Sequence, residues 1–193
     1  MVNFLQRFVS LQESLGSFSI SFETKYKGQT EEEFLTPDSL PQITKSEKVK
    51  IFYKDENGNK IEKSELFSVS QYKLAKTEFN LPRNLVALCA KSSVVKPITK
   101  KYLKTKTLEN NDLGGFYHVI LVEGEYLDER VNELRDDFDI PKNSQSRDLF
   151  LKNLISFENI YNSVDDIISD MLAPPDWDRK KIVERVGAIA KPY

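Results

Sequence analysis

Several short stretches of the chain alternate hydrophobic and polar residues, which is the period of a β-strand. Residues 18–22 alternate phenylalanine and isoleucine with serine, and they predict a half-buried strand. Residues 49–53 repeat the pattern, and Asn57-Gly58 is a strong hairpin signal. We therefore expect the chain to return along residues 66–74 as the partner strand.

Two longer apolar runs predict buried strands. They are residues 85–90 and residues 116–122, and the second run follows Gly114-Gly115. Between them, residues 96–112 are polar and rich in lysine, which is typical of a loop.

Helical periodicity appears at both ends of the chain. Residues 4–11 repeat apolar positions at helical spacing before Gly16, and a long apolar stripe at helical spacing covers residues 149–172 before Pro174-Pro175. A last helix is predicted over residues 179–190. One helix, a strand-rich middle and further helices predict an α+β fold.

The composition is that of an ordinary globular protein. The chain has 193 residues, of which 39% are hydrophobic and 30% charged, and its formal net charge is −2. This charge argues against a generally nucleic-acid-binding surface. The single cysteine, Cys89, excludes an intrachain disulfide. Without a signal peptide or a long apolar span, we expect a cytoplasmic protein.

Candidate catalytic groups are few. His118 is the only histidine and lies within a predicted strand, so a structural role is the default and a His-based triad or metal site has no second histidine. Cys89 lies in an apolar run and is interpreted as an inert core thiol. The acidic groups 31–33, 136–137 and 165–166 are interpreted as solvated surface. Glycine-rich nucleotide-binding motifs are absent from the sequence, so we expect no catalysis from this chain alone.

A basic stretch is the first candidate for partner binding. It combines one aromatic residue, Tyr102, with five lysines: Lys96, Lys100, Lys101, Lys104 and Lys106. Such a stretch can contact phosphate backbones or a partner protein, although a solvated loop is the more common use.

Arg135 is the second candidate. It follows the apolar run 116–122 and lies three positions after Asn132, an arrangement that can aim one cation at a phosphate. The alternative is an amphipathic helix, because Leu127, Val131, Leu134 and Phe138 fall at helical spacing.

The chain contains the sequence GEYLDERVNELRDDFDIP at residues 124–141. This sequence resembles a motif found after the nucleotide-binding domain of GHKL ATPases. This group includes gyrase, the ninety-kilodalton heat-shock chaperones, MutL-like mismatch-repair proteins and bacterial chaperone-like ATP-binding proteins. Residues 88–96 resemble a strand pair of the same proteins, although Lys91 stands where they usually carry asparagine. Only residues 126–138 are specific in this resemblance.

The resemblance implies a transducer domain of ribosomal-protein-like fold, with a mixed sheet of about four strands and helices on one face. It divides the chain into residues 1–16, similar to the last helix of an ATPase domain, the transducer-like residues 17–141, and a C-terminal helical segment, 142–193. Arg135 would contact the terminal phosphate of ATP and Asn132 would shape its loop. ATP with Mg would be bound by the adjoining domain, and this chain would bind no cofactor alone.

Two functions follow. The first is a non-catalytic transducer segment that couples nucleotide state to conformational change in a larger ATPase, with the adjoining ATPase domain as partner and a homodimer as one arrangement. The second is a stand-alone α+β module that binds nucleic acid or protein through the lysine stretch and the C-terminal helices.

Overall fold

The computed structural model describes residues 15–55, 58–77, 83–143 and 154–174. The helices predicted over residues 4–11 and 179–190 lie outside these ranges.

The described residues form seven strands and four α-helices. The strands are β1 (Ile20–Tyr26), β2 (Gln29–Leu35), β3 (Lys45–Lys54), β4 (Lys60–Ala75), β5 (Leu85–Ala90), β6 (Ser93–Pro97) and β7 (Phe116–Glu123). The helices are α1 (Thr99–Tyr102), α2 (Lys106–Asn110), α3 (Glu125–Arg130) and α4 (Phe157–Leu172).

Five strands form one mixed sheet in the order β3-β4-β7-β5-β6, and β1 pairs with β2 in a separate two-stranded sheet. Neighbours in the large sheet are antiparallel except β5 and β7, which are parallel. The predicted α+β class is confirmed, with five strands in the main sheet rather than about four. Because β5 and β7 are parallel, their carboxyl ends at Ala90 and Glu123 share one edge of the sheet.

Both faces of the main sheet carry buried apolar residues. On one face lies α4, which begins at its N-cap Ser156 and buries Ile160, Val164 and Ile168 at intervals of one turn. The opposite face buries a second cluster that contains Cys89, fully buried as predicted for a core thiol, and Val119. Parallel strands with both faces covered read as continuous apolar runs, which explains the sequence of β5 and β7.

Several predicted elements differ in extent. Strand β4 begins at Lys60 rather than residue 66, because its first half pairs only with β3. The predicted half-buried strand 18–22 is Ile20–Tyr26 and is mostly exposed, so the burial prediction was wrong. The acidic residues 31–33 are exposed as predicted but lie in β2. Leu154 of the helical stripe precedes α4 and is not helical.

The segment predicted as a loop between strands contains α1 and α2. The Thr99 hydroxyl accepts a hydrogen bond from Val86 N–H at 2.9 Å and donates one to Val86 C=O at 3.3 Å, which fixes the start of α1 on β5. Asn84 is fully buried, and its Nδ2 donates to the carbonyls of Leu108 and Asn111, at 2.9 and 2.8 Å. These contacts hold the lysine-rich segment against the sheet.

Gly124 forms the junction between β7 and α3. A Cβ atom at this position would lie 2.9 Å from the Leu66 carbonyl oxygen and 3.3 Å from a Phe67 ring carbon. The backbone of β4 therefore passes too close for any residue with a side chain.

Candidate functional site

Residues 131–138 form a closed loop directly after α3. Val131 and Phe138 pair as an isolated antiparallel bridge, and Asp139 N–H donates to Arg130 C=O at 2.8 Å. Helix α3 ends at Arg130, and Leu134 is 82% exposed at the tip of the loop. The alternative of one amphipathic helix over residues 127–138 is therefore wrong.

Asn132 holds this loop in shape. Its Oδ1 accepts hydrogen bonds from the N–H groups of Asp136 and Asp137, at 3.1 and 3.4 Å, and its Nδ2 donates to the Asp136 carboxylate at 2.8 Å. Its carbonyl accepts from Arg135 N–H at 3.0 Å. A side chain that bonds backbone a few residues ahead is the usual use of asparagine in turns.

Arg135 lies exposed in the loop with a positive φ of 56°. Its Nη2 donates to the Ala90 carbonyl at 3.1 Å, at the carboxyl end of β5. Within the described ranges it forms no ion pair with a carboxylate. A guanidinium has five N–H donors, so this one bond orients the group and leaves further donors for a ligand.

The loop is also tied to β6 and α4. Both oxygens of the Asp137 carboxylate accept from Lys96 Nζ at 2.7 Å, and that ammonium lies 4.8 Å from the centre of the Phe157 ring. Phe138 packs edge-on against Phe157, with ring centres 6.4 Å apart. Partial burial favours the neutral acid, but the hydrogen bonds from Lys96 and from Phe138 N–H outweigh it and lower the pKa of Asp137.

Tyr126, Leu127 and Asp128 precede the loop in the motif that resembles the GHKL sequences, and they have structural roles. Tyr126 O–H donates to Ile155 C=O at 2.9 Å, and burial raises the pKa of Tyr126 to about 12. Leu127 is fully buried, and the Asp128 carboxylate accepts the N–H of Lys91 at 2.6 Å. Asp128 thereby fastens the turn between β5 and β6 beside the Arg135 contact. The interpretation of Asp137 as solvated surface was wrong, and the sequence indicated no role for Asp128, because the partners of both residues are distant along the chain.

The lysine stretch is not one free basic surface. Lys96 pairs with Asp137, and Lys101 Nζ lies 3.5 Å from Asp165 of α4. Lys100, Lys104 and Lys106 are exposed and form no ion pair among the described residues.

A cleft of about 460 Å³ opens between α1 and the end of α4. Its lining includes Tyr102, whose hydroxyl donates to the Asp165 carboxylate at 2.8 Å, and Ser169. Burial, and then this hydrogen bond, raise the pKa of Tyr102, so the group stays a neutral phenol. Tyr102 and Lys101 thus connect α1 to Asp165 of α4.

His118 is structural, as its position in the strand predicted. The ring is buried, and its Nδ1 pairs with Gln71 Nε2 at 2.9 Å, while the same amide donates to Met171 C=O in α4. Burial, followed by the charge of Lys73, lowers the pKa of His118, and a hydrogen bond with the Leu113 backbone opposes this.

In the described part of the chain, no cluster of three or more His, Cys, Asp or Glu side chains is placed to hold a metal ion. None of the helices found there has the length and apolar character needed to cross a membrane.

A scan against protein-family models, a search of curated proteins and a search of solved structures each found no match.

Proposed function

We propose that this chain is the transducer segment of a larger GHKL-type ATPase, in which Arg135 senses the terminal phosphate of ATP bound by an adjoining domain. The main support for the proposal is the environment of the Arg135 guanidinium. Its guanidinium is exposed, oriented by Ala90 C=O, and free of any carboxylate within the described residues. A cation held in this way can reach an anion presented from outside.

The backbone at Arg135 supports a functional role. A positive φ is unfavourable for a residue with a Cβ and costs of order 1 kcal/mol. Asn132 holds the loop in the conformation that imposes this cost, through hydrogen bonds to the Arg135 N–H and to Asp136, the residue after it. Such strain is commonly found where a side chain must be held ready for a ligand.

Coupling follows from the contacts that leave the loop. A guanidinium bound to a γ-phosphate loses those charge-assisted hydrogen bonds after hydrolysis, so the two nucleotide states favour different loop positions. Movement of the loop is transmitted through Asp137 to Lys96 in β6, and through Phe138 to Phe157 at the start of α4. ATP and its Mg ion belong to the adjoining domain, and this chain contributes the cation and the mechanical connection.

The test is steady-state ATP hydrolysis by the protein that contains this segment together with its ATPase domain. Arg135→Ala should lower kcat by about ten- to a hundredfold, the worth of one or two charge-assisted contacts. Arg135→Lys should restore part of the rate, because an ammonium still provides a point charge.

Arg83→Ala is the matched control, because Arg83 is also exposed and, among the described residues, its one ion pair is with Glu109. It should leave kcat unchanged. Unchanged hydrolysis in Arg135→Ala, or an equal loss in Arg83→Ala, would refute the role of Arg135. Calorimetry should also detect no ATP binding to the 193-residue chain alone.

The alternative function, a stand-alone module for nucleic acid or protein, is supported by the exposed Lys100, Lys104 and Lys106. The ion pairs of Lys96 and Lys101 weaken it, because those charges are already neutralised in part. Binding of a single-stranded oligonucleotide that falls steeply with salt and is lost in Lys104→Glu/Lys106→Glu would favour this alternative.

A further inference from the structure

The β1–β2 hairpin stands apart from the main sheet. Its strands are hydrogen-bonded to each other and to no other strand of the described residues. One face carries Phe22 and Tyr26, which are 52% and 68% exposed. On the same face Glu33 is opposite Phe22, and Glu31 is opposite Thr24, the residue midway between the two aromatic residues. We refer to Phe22, Tyr26, Glu31 and Glu33 as the acidic-aromatic face.

An isolated two-stranded hairpin is only marginally stable in water. Clustered exposed aromatic residues with a polar surround usually mark a contact surface. The acidic-aromatic face is therefore complementary to a partner surface that is both apolar and positively charged.

The same chain offers such a surface on β3 and β4. Lys48 and Lys50 lie on the face of the sheet away from α4, and Lys50 is opposite Leu66, which is 50% exposed. On this face Phe52 is 37% exposed and Lys60 Nζ lies 5.5 Å from its ring centre. We refer to these five residues, Lys48, Lys50, Phe52, Lys60 and Leu66, as the lysine face. Because side chains alternate between the two faces of a strand, Glu62 is the one carboxylate of β4 on this face.

The two faces match in spacing as well as in charge. Residues two apart on a strand lie about 6.8 Å from each other on one face. Glu31 and Glu33 have this separation, and so do Lys48 and Lys50. Each acidic or basic pair adjoins an aromatic residue, Phe22 opposite Glu33 and Phe52 along the strand from Lys50.

We propose that the acidic-aromatic face of one copy packs on the lysine face of a second copy, so that two chains exchange hairpins around a two-fold axis. The contact between an acidic-aromatic face and a lysine face then occurs twice in the dimer, as an isologous dimer requires. This inference is independent of the proposed phosphate sensing, because it uses none of the residues of the Arg135 loop.

A second copy fits better than the other occupants of these surfaces. Within one chain both faces keep their aromatic and leucine side chains exposed, so the hairpin does not cover its own lysine face. A nucleic acid could bind the lysine face, but it would leave the aromatic residues of the hairpin uncovered, since its phosphates are repelled by Glu31 and Glu33.

The experiment is sedimentation velocity on the 193-residue chain over a concentration series. A reversible dimer is expected, with a dissociation constant of about 1–100 μM and weaker association at high salt. Glu31→Lys/Glu33→Lys and Lys48→Glu/Lys50→Glu should each weaken the dimer at least about tenfold. Mixing the two variants should restore a heterodimer, because each hairpin then meets a face of opposite charge.

Lys104→Glu/Lys106→Glu is the control, since it reverses two exposed lysines outside both faces and should dimerise like the unchanged chain. A chain that stays monomeric at about 500 μM would overturn the proposal. So would charge-reversed variants that dimerise normally, or a mixture no better than either variant alone. Oligonucleotide binding that depends on Lys48 and Lys50 in a monomeric chain would assign the lysine face to nucleic acid instead.

Discussion

At the scale of single residues, His118 shows how a polar side chain is accommodated in the sheet. It is 4% exposed, and its backbone N–H donates to Asn84 Oδ1 at 2.7 Å. Its ring accepts from Gln71, whose amide also bonds α4. A charged imidazolium could not accept that hydrogen bond, so the arrangement requires the neutral ring.

We therefore expect the stability of the chain to depend on His118 as the pH falls below about 6.5. The folded pKa lies below the ordinary value of 6.5, so the unfolded chain binds the proton more readily. The stabilisation is present above pH 6.5 and is lost as the pH falls through the folded pKa. Urea unfolding at a series of pH values measures it.

His118→Gln keeps an acceptor at this position and cannot titrate. It should remove the loss of stability below neutral pH, and because the chain has one histidine the difference between the two proteins reports that residue alone. Identical pH profiles for the two proteins would contradict this assignment.

At the scale of elements, the attachment of α2 depends on Asn84. Asn84→Ala should destabilise the chain by about 2–4 kcal/mol, because it leaves the carbonyls of Leu108 and Asn111 and the His118 N–H without their partner. Asn111→Ala, at the exposed end of α2, should cost no more than about 0.5 kcal/mol. Urea midpoints at constant m-value measure both changes.

The sequence predicted the strands whose burial determines their composition. The bounds of β5 were predicted to the residue, and those of β7 to within one residue, because continuous apolar runs have few alternatives in a globular chain. Strand β2 was missed because its run of glutamates is polar on both faces, and strand formation there depends on the Lys27-Gly28 turn.

Helices α1 and α2 were also missed. Each is too short to be favoured by local sequence, and each depends on a contact with a distant part of the chain. The Thr99 hydroxyl of α1 bonds the Val86 backbone, and the Asn84 amide donates to the Leu108 carbonyl of α2. The same limit applies to the site. An exposed Arg135 could be predicted from the phrase around it, whereas the pairing of Asp137 with Lys96, 41 positions away, required the fold.

At the scale of the whole molecule, the described residues divide into a sheet with buried faces and a projecting hairpin. Trypsin should cut first, among the described lysines, after Lys25 or Lys27 at the tip of the hairpin, because few tertiary contacts must open there. Lys100, Lys104 and Lys106 should be cut later, since α1 and α2 are fastened to the sheet.

Mass spectrometry of timed digests at low protein concentration, where self-association is minimal, gives the order of cleavage. First cuts after Lys100, Lys104 or Lys106 would show that the lysine-rich segment opens more easily than the hairpin.

The close approach at Gly124 has a genetic consequence. Every amino acid replacement at this codon adds a Cβ atom, and that atom would collide with the main chain at Leu66, which cannot turn away as a side chain would. Missense alleles at Gly124 should therefore be as damaging as alleles at a reactive residue, although glycine carries no reactive group. A mutational screen that scores only loss of activity would rank Gly124 together with Arg135. Measuring the abundance of the variant proteins separates the two positions.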